Sequence, residues 1–248
     1  MSPTSPTSVS SPTSLTSLTY EEYLRLPALL DLRRPRSVPV EHDELLFITV
    51  HQVCELWFRQ MLTELSDARD HMMAGDGYLP RLRLRRCHVI ARMLVDQFDI
   101  LDTMSPPDFL RFRDALGSAS GAQSAQFRAI ELLSGEPRPG ASTPTLWDGF
   151  LAVLVKAGFR VGTKGDRFAT YLEIAANRAD HAALWELAEA LVEHDQAWSA
   201  FRFRHVLMVE RQIGRRAGTA GTTGAAHLTA RLGDRFYPEL WELRSALR

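Results

Sequence analysis

Cysteine is almost missing from this chain. Cys54 and Cys87 are the only two among 248 residues, far apart and without the short paired spacing of a zinc site. That excludes a disulfide scaffold and a thiolate-built structural metal centre, and it fits a reducing compartment. We therefore expect a cytoplasmic protein. Lysine is equally scarce, with Lys156 and Lys164 alone beside many arginines, a bias that carries no functional content. No charge sign dominates either: 29 basic residues face 30 acidic ones, a net charge of −1. Such a chain offers no overall field to draw in a nucleic-acid backbone or an anionic membrane. No apolar run approaches the ~20 residues a bilayer requires, and the N-terminus lacks the charged start and apolar centre of a secretory signal. The expected partner is a small molecule, with neither nucleic acid nor membrane involved.

What remains is ordinary globular composition, 45% hydrophobic and 24% charged. A core of this size buries roughly 70–75% of the surface exposed by the unfolded chain, so any cofactor serves chemistry rather than stability. Residues 1–19 repeat Ser, Thr and Pro and read as a disordered tail, leaving residues 20–248 as a single domain. From Tyr20 onward the apolar residues recur with a 3.6-residue period and almost never alternate strictly, which predicts an all-α helical bundle without strands.

The periodicity places helices at residues 21–32 and 43–73, the second apolar around most of its circumference and so expected to lie in the core. A further long helix is expected at 79–104. Ser105, Pro106 and Pro107 then open a shorter one, with Ser105 as its cap. Residues 117–121 read as a loop, 122–134 as a helix, 135–144 as a turn-rich connector, 146–159 as a helix and 161–167 as another loop. The last long helix spans 182–213. The Gly, Ala and Thr of 214–224 cannot continue it, and two short helices close the chain.

Two histidines stand in the long helices. His51 shares a helical face with Phe47 and Glu55, one turn to either side. His205 is surrounded at helical offsets by Trp198, Phe201, Met208 and Val209, and bulky apolar walls around one imidazole on a rigid element suit the axial ligand of an iron porphyrin. The plainer reading, histidines bonded within an ordinary core, stays open for both at this point. The other six histidines, His42, His71, His88, His181, His194 and His227, lack such surroundings and are expected at the surface or at helix caps. The glycine-rich run 218–224 lacks the Gly-Lys-Ser/Thr ending of a phosphate loop and follows a helix, so nucleotide binding is not expected. It is either a flexible linker or a loop able to close over a small charged group. Arg113, beside Asp114, is either half of a surface pair or a bidentate clamp for a carboxylate.

Several stretches taken in order resemble the tryptophan 2,3-dioxygenase family. They begin with Leu18-Thr19-Tyr20 leading to Tyr23-Leu24-Arg25-Leu26, and with Asp43-Glu44-Leu45-Leu46-Phe47-Ile48 followed by His51-Gln52 and Glu55-Leu56-Trp57. Phe112-Arg113-Asp114, Ser120-Gly121 and Gln123-Ser124 come next, then Phe203-Arg204-His205-Val206 and Met208-Val209-Glu210-Arg211. The run 218–224, and Phe236 with Pro238-Glu239-Leu240-Trp241, complete a resemblance that covers about residues 18 to 244.

The resemblance implies a helical bundle around heme b. With ferrous iron and O2, such an enzyme opens the indole ring of tryptophan to N-formylkynurenine. It implies that His205 is the axial ligand, His51 a distal histidine hydrogen-bonding the indole N–H, and Phe47 a packing surface for the ring. Arg113 and Thr219 would hold the carboxylate and ammonium of the amino acid, with Phe109, Ser120 and Gly121 also among the substrate-binding positions. A homotetramer or homodimer is implied, in which Tyr20, Tyr23 and Leu24 complete the site of a neighbouring subunit. The chain departs from the family at Phe109, commonly tyrosine, at Ala122 in place of a bulky phenylalanine, and at Ala220 in place of a glycine. The stretch between Ser134 and Ala182 is also shorter. The change at Ala122 leaves room for a modified substrate such as β-methyltryptophan, with monooxygenation to a 2-oxindole as an alternative outcome. A heme-binding sensor without catalysis is the alternative of a different class.

Overall fold

The computed structural model describes residues 18–135, 143–219 and 221–247. The expected tail lies outside the described residues as far as residue 17, as do most of the expected connector at 135–144 and Ala220. All regular structure among the described residues is helical, as the periodicity predicts, and none of the described helices is long and apolar enough to cross a membrane. The chain divides into two compact units, one ending at Arg34 and one beginning at Pro35.

The first unit holds α1 (Tyr20–Leu24) and α2 (Leu26–Asp31). One helix was expected across residues 21–32, but Arg25 adopts a left-handed backbone conformation at φ 53°, just ahead of Pro27. It ends one helix and begins the next. Thr19 and Glu22 form a reciprocal cap that starts α1.

In the second unit, α3 (His42–Met73), α4 (Leu79–Leu101) and α9 (Ala182–Ile213) are the long elements. α3 packs along α4, and α4 along α9. Between α4 and α9 lie α5 (Pro106–Arg113), α6 (Ala125–Ser134), α7 (Leu146–Lys156) and α8 (Lys164–Ala176). After α9 come α10 (Ala225–Thr229) and α11 (Pro238–Leu243). Ser105 caps α5 through the Asp108 amide, with proline in the first turn, as its sequence predicts.

The start of α3 is fixed from upstream. The buried Glu44 carboxylate accepts hydrogen bonds from the backbone amides of Arg36 (2.7 Å) and Ser37 (2.9 Å) and from the Ser37 hydroxyl. Burial pushes this acid upward, but the hydrogen bonds outweigh it and hold the carboxyl below the usual range. Further along, Met61, Leu65, Ala68 and Met72 face Leu84, Cys87, Ala91 and Leu94 in a fully buried seam. Truncating one of its large residues to alanine costs roughly 2–5 kcal/mol. Gly149 brings α7 against α3: a Cβ there would lie 2.9 Å from the Cβ of Met72.

Four other expectations need correction. α3 is not buried all round, because Leu45, Leu56 and Trp57 are exposed on its outer face. α4 stops at Leu101 rather than 104. The helix expected from residue 122 opens as a 3-10 turn at Gly121–Gln123, and α6 begins only at Ala125. The stretch 161–167, read as a loop, contains the start of α8. Thr163 accepts from the Asp166 amide while Asp166 accepts from the Thr163 amide, and this box is visible in the sequence as Thr-x-x-Asp.

His194 also departs from expectation, being 1% exposed rather than at the surface. Its Nε2 pairs with the Ser134 hydroxyl at 2.8 Å and its ring stacks on Phe236. Burial, helped by the charge of His88, pulls its pKa down to about 4 from an ordinary 6.5. The unfolded chain takes up this proton near pH 6.5 and the folded chain only near 4. Stability therefore falls as pH drops through that window, by about 3 kcal/mol at most, with no contribution above it. Urea unfolding at pH 7 and pH 5 measures the loss. His194→Gln is expected to flatten the dependence, and an unchanged slope contradicts the assignment.

Candidate functional site

The unit that begins at Pro35 contains a pocket lined by α3, α5, α9, α10 and the loops before α6 and after α9. A second pocket shares with it His51, Leu101, Gly121, Ala122, His205, Met208 and Leu228. The two adjoin, and both helical histidines stand on the wall they share. The inner end is walled by Val50, Phe58, Phe98, Phe127 and Phe201. The outer end carries Arg113, Ser120, Thr219, Thr222 and His227. An apolar interior with a few polar groups at one mouth is the usual build of a ligand site.

The long helices fix the two imidazoles differently. On α3, the His51 ring pairs through Nδ1 with the Phe47 carbonyl at 2.8 Å, an interaction that requires Nδ1 to carry the hydrogen. Nε2 is then left as an acceptor. Burial lowers the pKa of His51, opposed by that hydrogen bond and by the charge of Glu55, so the ring is neutral. On α9, His205 lies parallel to Phe98 with ring centroids 5.5 Å apart. Among the described residues it has no hydrogen-bond partner. Burial, with a smaller contribution from His51, pulls its pKa down to about 4. A neutral imidazole without a partner among the described residues, on a wall of mostly apolar side chains, is the donor that a porphyrin iron would take. The residues present fit heme. Cys54 lines the same space, but burial pushes its thiol up to about 12; it is no thiolate ligand.

Aromatic residues gather on the His51 side. The Phe47 ring lies 4.0 Å from that of His51, 5.8 Å from Phe109 and 5.6 Å from Phe112. Arg113, at the end of α5, donates to the Ala217 carbonyl, and the Thr219 hydroxyl donates to the Ala119 carbonyl. These two contacts hold the loop after α9 against the end of α5 and the loop before α6. Ser120 caps the 3-10 turn that follows it. Thus Phe47, His51, Phe109, Arg113, Ser120, Gly121, His205 and Thr219, drawn from distant parts of the sequence, all line one cavity. Tyr20, Tyr23 and Leu24 belong to the first unit, where their side chains are exposed.

The sequence reading missed part of this wall. Met104, Leu116 and Gln212 line the cavity. Gln126 donates at 2.8 Å to both the carbonyl and the carboxylate of Glu55. A polar pair of residues so far apart leaves no local pattern to find.

The family model described as tryptophan 2,3-dioxygenase matches residues 7–139 and 152–247. A tryptophan 2,3-dioxygenase of Nocardioides sp. is 46% identical, across 92% of this chain and 94% of that protein. Those of Herpetosiphon aurantiacus and Caulobacter vibrioides are each 38% identical, across 92% of this chain and 98% of their own length. With the fold, the paired histidines and a match over nearly the whole length in agreement, the chain belongs to the tryptophan 2,3-dioxygenase family.

Proposed function

We propose that this chain is a heme-dependent oxygenase that opens the indole ring of L-tryptophan to N-formylkynurenine, with His205 as the residue that would hold the iron. The observation carrying this reading is that the neutral His205 imidazole, without a hydrogen-bond partner among the described residues, lines the same apolar pocket as His51. Heme b with ferrous iron supplies the O2-binding and redox chemistry when bound. Both oxygen atoms enter the product and no other reductant is consumed.

The chain's own residues bind, orient and exclude water. Because the Phe47 carbonyl fixes the hydrogen on Nδ1 of His51, Nε2 accepts the indole N–H and sets the ring's angle. Phe47 and Phe109 give the indole an apolar face. Arg113 exchanges its bond to the Ala217 carbonyl for two bonds to the substrate carboxylate. Thr219 releases the Ala119 carbonyl, to which its hydroxyl donates, and its oxygen accepts from the ammonium. With Thr219 and Thr222 on the wall at its mouth, the pocket holds the reacting atoms together with little water. Ser120 and Gly121 border the ring.

The same reading makes the protein cytoplasmic, on its two free thiols. It also makes the protein a homotetramer or homodimer in which the exposed Tyr20, Tyr23 and Leu24 complete a neighbouring subunit's site.

The direct test supplies reduced, heme-loaded protein with L-tryptophan and O2 and follows O2 uptake and product. One N-formylkynurenine per O2 is expected; a heme spectrum without turnover overturns the reading. His51→Ala should retain the heme spectrum while kcat/KM falls about tenfold to a hundredfold, the worth of one hydrogen bond in a dry site. Loss of heme with His51 would contradict its role as substrate acceptor.

A further inference from the structure

Charged side chains are unevenly distributed around the two adjoining pockets. The outer lining holds no carboxyl group among the described residues, and the basic side chains at its mouth are Arg113 and His227. The inner lining holds Glu55 and neither arginine nor lysine. Glu55 accepts from Gln126, and its charge acts on His51. A ligand with one anionic edge and an otherwise apolar body is oriented by such a wall. Glu55 repels the anionic edge from the inner end, while the basic groups and water at the mouth attract it. Heme b has this build, with two propionates on one edge of an apolar macrocycle.

His227 is the uncommitted donor at the mouth. It stands on α10, which packs on α9, the helix that carries His205, and Ala225 at the start of α10 is buried. Packing of one helix on the other therefore fixes His227 relative to the proposed iron ligand. Its ring is exposed and makes no hydrogen bond or ion pair among the described residues. A neutral imidazole offers one N–H and an imidazolium two, and either donates to a carboxylate. Arg113, by contrast, is bonded to the Ala217 carbonyl and is taken by the amino acid in the function proposed above, in which His227 has no role.

We propose that His227 is a cofactor-binding residue: it donates to a propionate of heme b and so sets the propionate edge toward the mouth, with the apolar edge toward Phe58, Phe98 and Phe127. The inference rests on the part of the proposed function that places heme on His205. A contact at an exposed mouth is weak beside the axial bond. Its loss shows in how long heme is held, while the residue holding the iron stays the same.

The test loads the parent, His227→Phe and His227→Gln with hemin or with hemin dimethyl ester, in which both propionates are capped and uncharged. Release to excess apomyoglobin is then timed. Hemin should leave His227→Phe about threefold to tenfold faster than it leaves the parent, whereas the ester should leave both at the same rate. Glutamine, which keeps a donor, should recover most of the difference. The Soret maximum and the melting temperature of both variants should match the parent, since the ring is exposed and the axial bond is untouched. If His227→Phe fails to fold, His227→Ala is read in the same way. Unchanged hemin release overturns the proposal, and a raised Kd for tryptophan would then assign the ring to the amino acid. Equal acceleration of hemin and its ester also overturns it, marking the ring as a packing surface. A parent that takes up no hemin overturns the functional reading as well, so the two failures are distinguishable.

Discussion

Replacing His205 with alanine is expected to yield a folded protein that leaves purification without heme, with affinity for added hemin reduced more than about a hundredfold and activity lowered more than about a thousandfold. The axial bond accounts for this size of effect. The inner walls of the cavity are aliphatic and aromatic, Val50, Phe58, Phe98, Phe127, Leu101 and Met208 among them, and offer a porphyrin packing without a ligand; the remaining imidazoles on the lining are His51 and, at the mouth, His227. The Cys54 thiol stays protonated and His51 commits one ring nitrogen to the Phe47 carbonyl. Since His205 makes no hydrogen bond among the described residues, its removal strands no buried partner and the fold should tolerate it. Absorbance of the purified variant and a hemin titration measure the outcome. A native heme spectrum in His205→Ala would show that another residue holds the iron.

Glu131→Gln is expected to carry the largest cost to folding, about 3–5 kcal/mol. An amide keeps the shape of the side chain but removes the negative charge that faces Arg202, 7% exposed, and Arg231. A guanidinium left buried without its counter-charge is the expensive half of a broken ion pair. The urea midpoint should drop with little change in slope, since the surface exposed on unfolding is the same. The double replacement Glu131→Leu with Arg202→Met should recover much of the loss, because it removes both buried charges and leaves the part-exposed Arg231 its pair with Asp234. Destabilisation by the double variant equal to or greater than that of the single one would contradict this electrostatic account.

The elements readable from sequence are those whose signals are local and long. α3 and α9 begin and end within a residue or so of where periodicity and the glycine after Ile213 place them. The cap at Ser105 is likewise written in adjacent residues. The misreadings arise where tertiary structure competes with a local signal. Arg25 takes a left-handed conformation that its type does not favour, splitting an otherwise continuous helical pattern. α8 was masked by the glycines at 162 and 165, although its cap was present. Apolar character alone cannot separate the buried face of α3 from the exposed Leu56 and Trp57.

The same division holds for the site. The histidines show in their helical surroundings, because bulky residues at three and four positions' distance necessarily share their face. The motifs of the family supply Arg113 and Thr219, which look ordinary by themselves. What pairs across the cavity, Thr219 with Ala119 or Arg113 with Ala217, involves backbone carbonyls and carries no sequence signature. The Glu131, Arg202 and Arg231 junction is invisible for the related reason that its members are about 30 to 100 residues apart. Any arginine in this arginine-rich chain could have been the partner.

The most direct measurement of the central claim is the fate of isotopically labelled dioxygen. Reduced, heme-loaded protein turned over with L-tryptophan under 18O2 should give N-formylkynurenine containing two 18O atoms, and none of this product should form with His205→Ala. A product carrying a single labelled atom, or full activity in the His205 variant, would contradict the account.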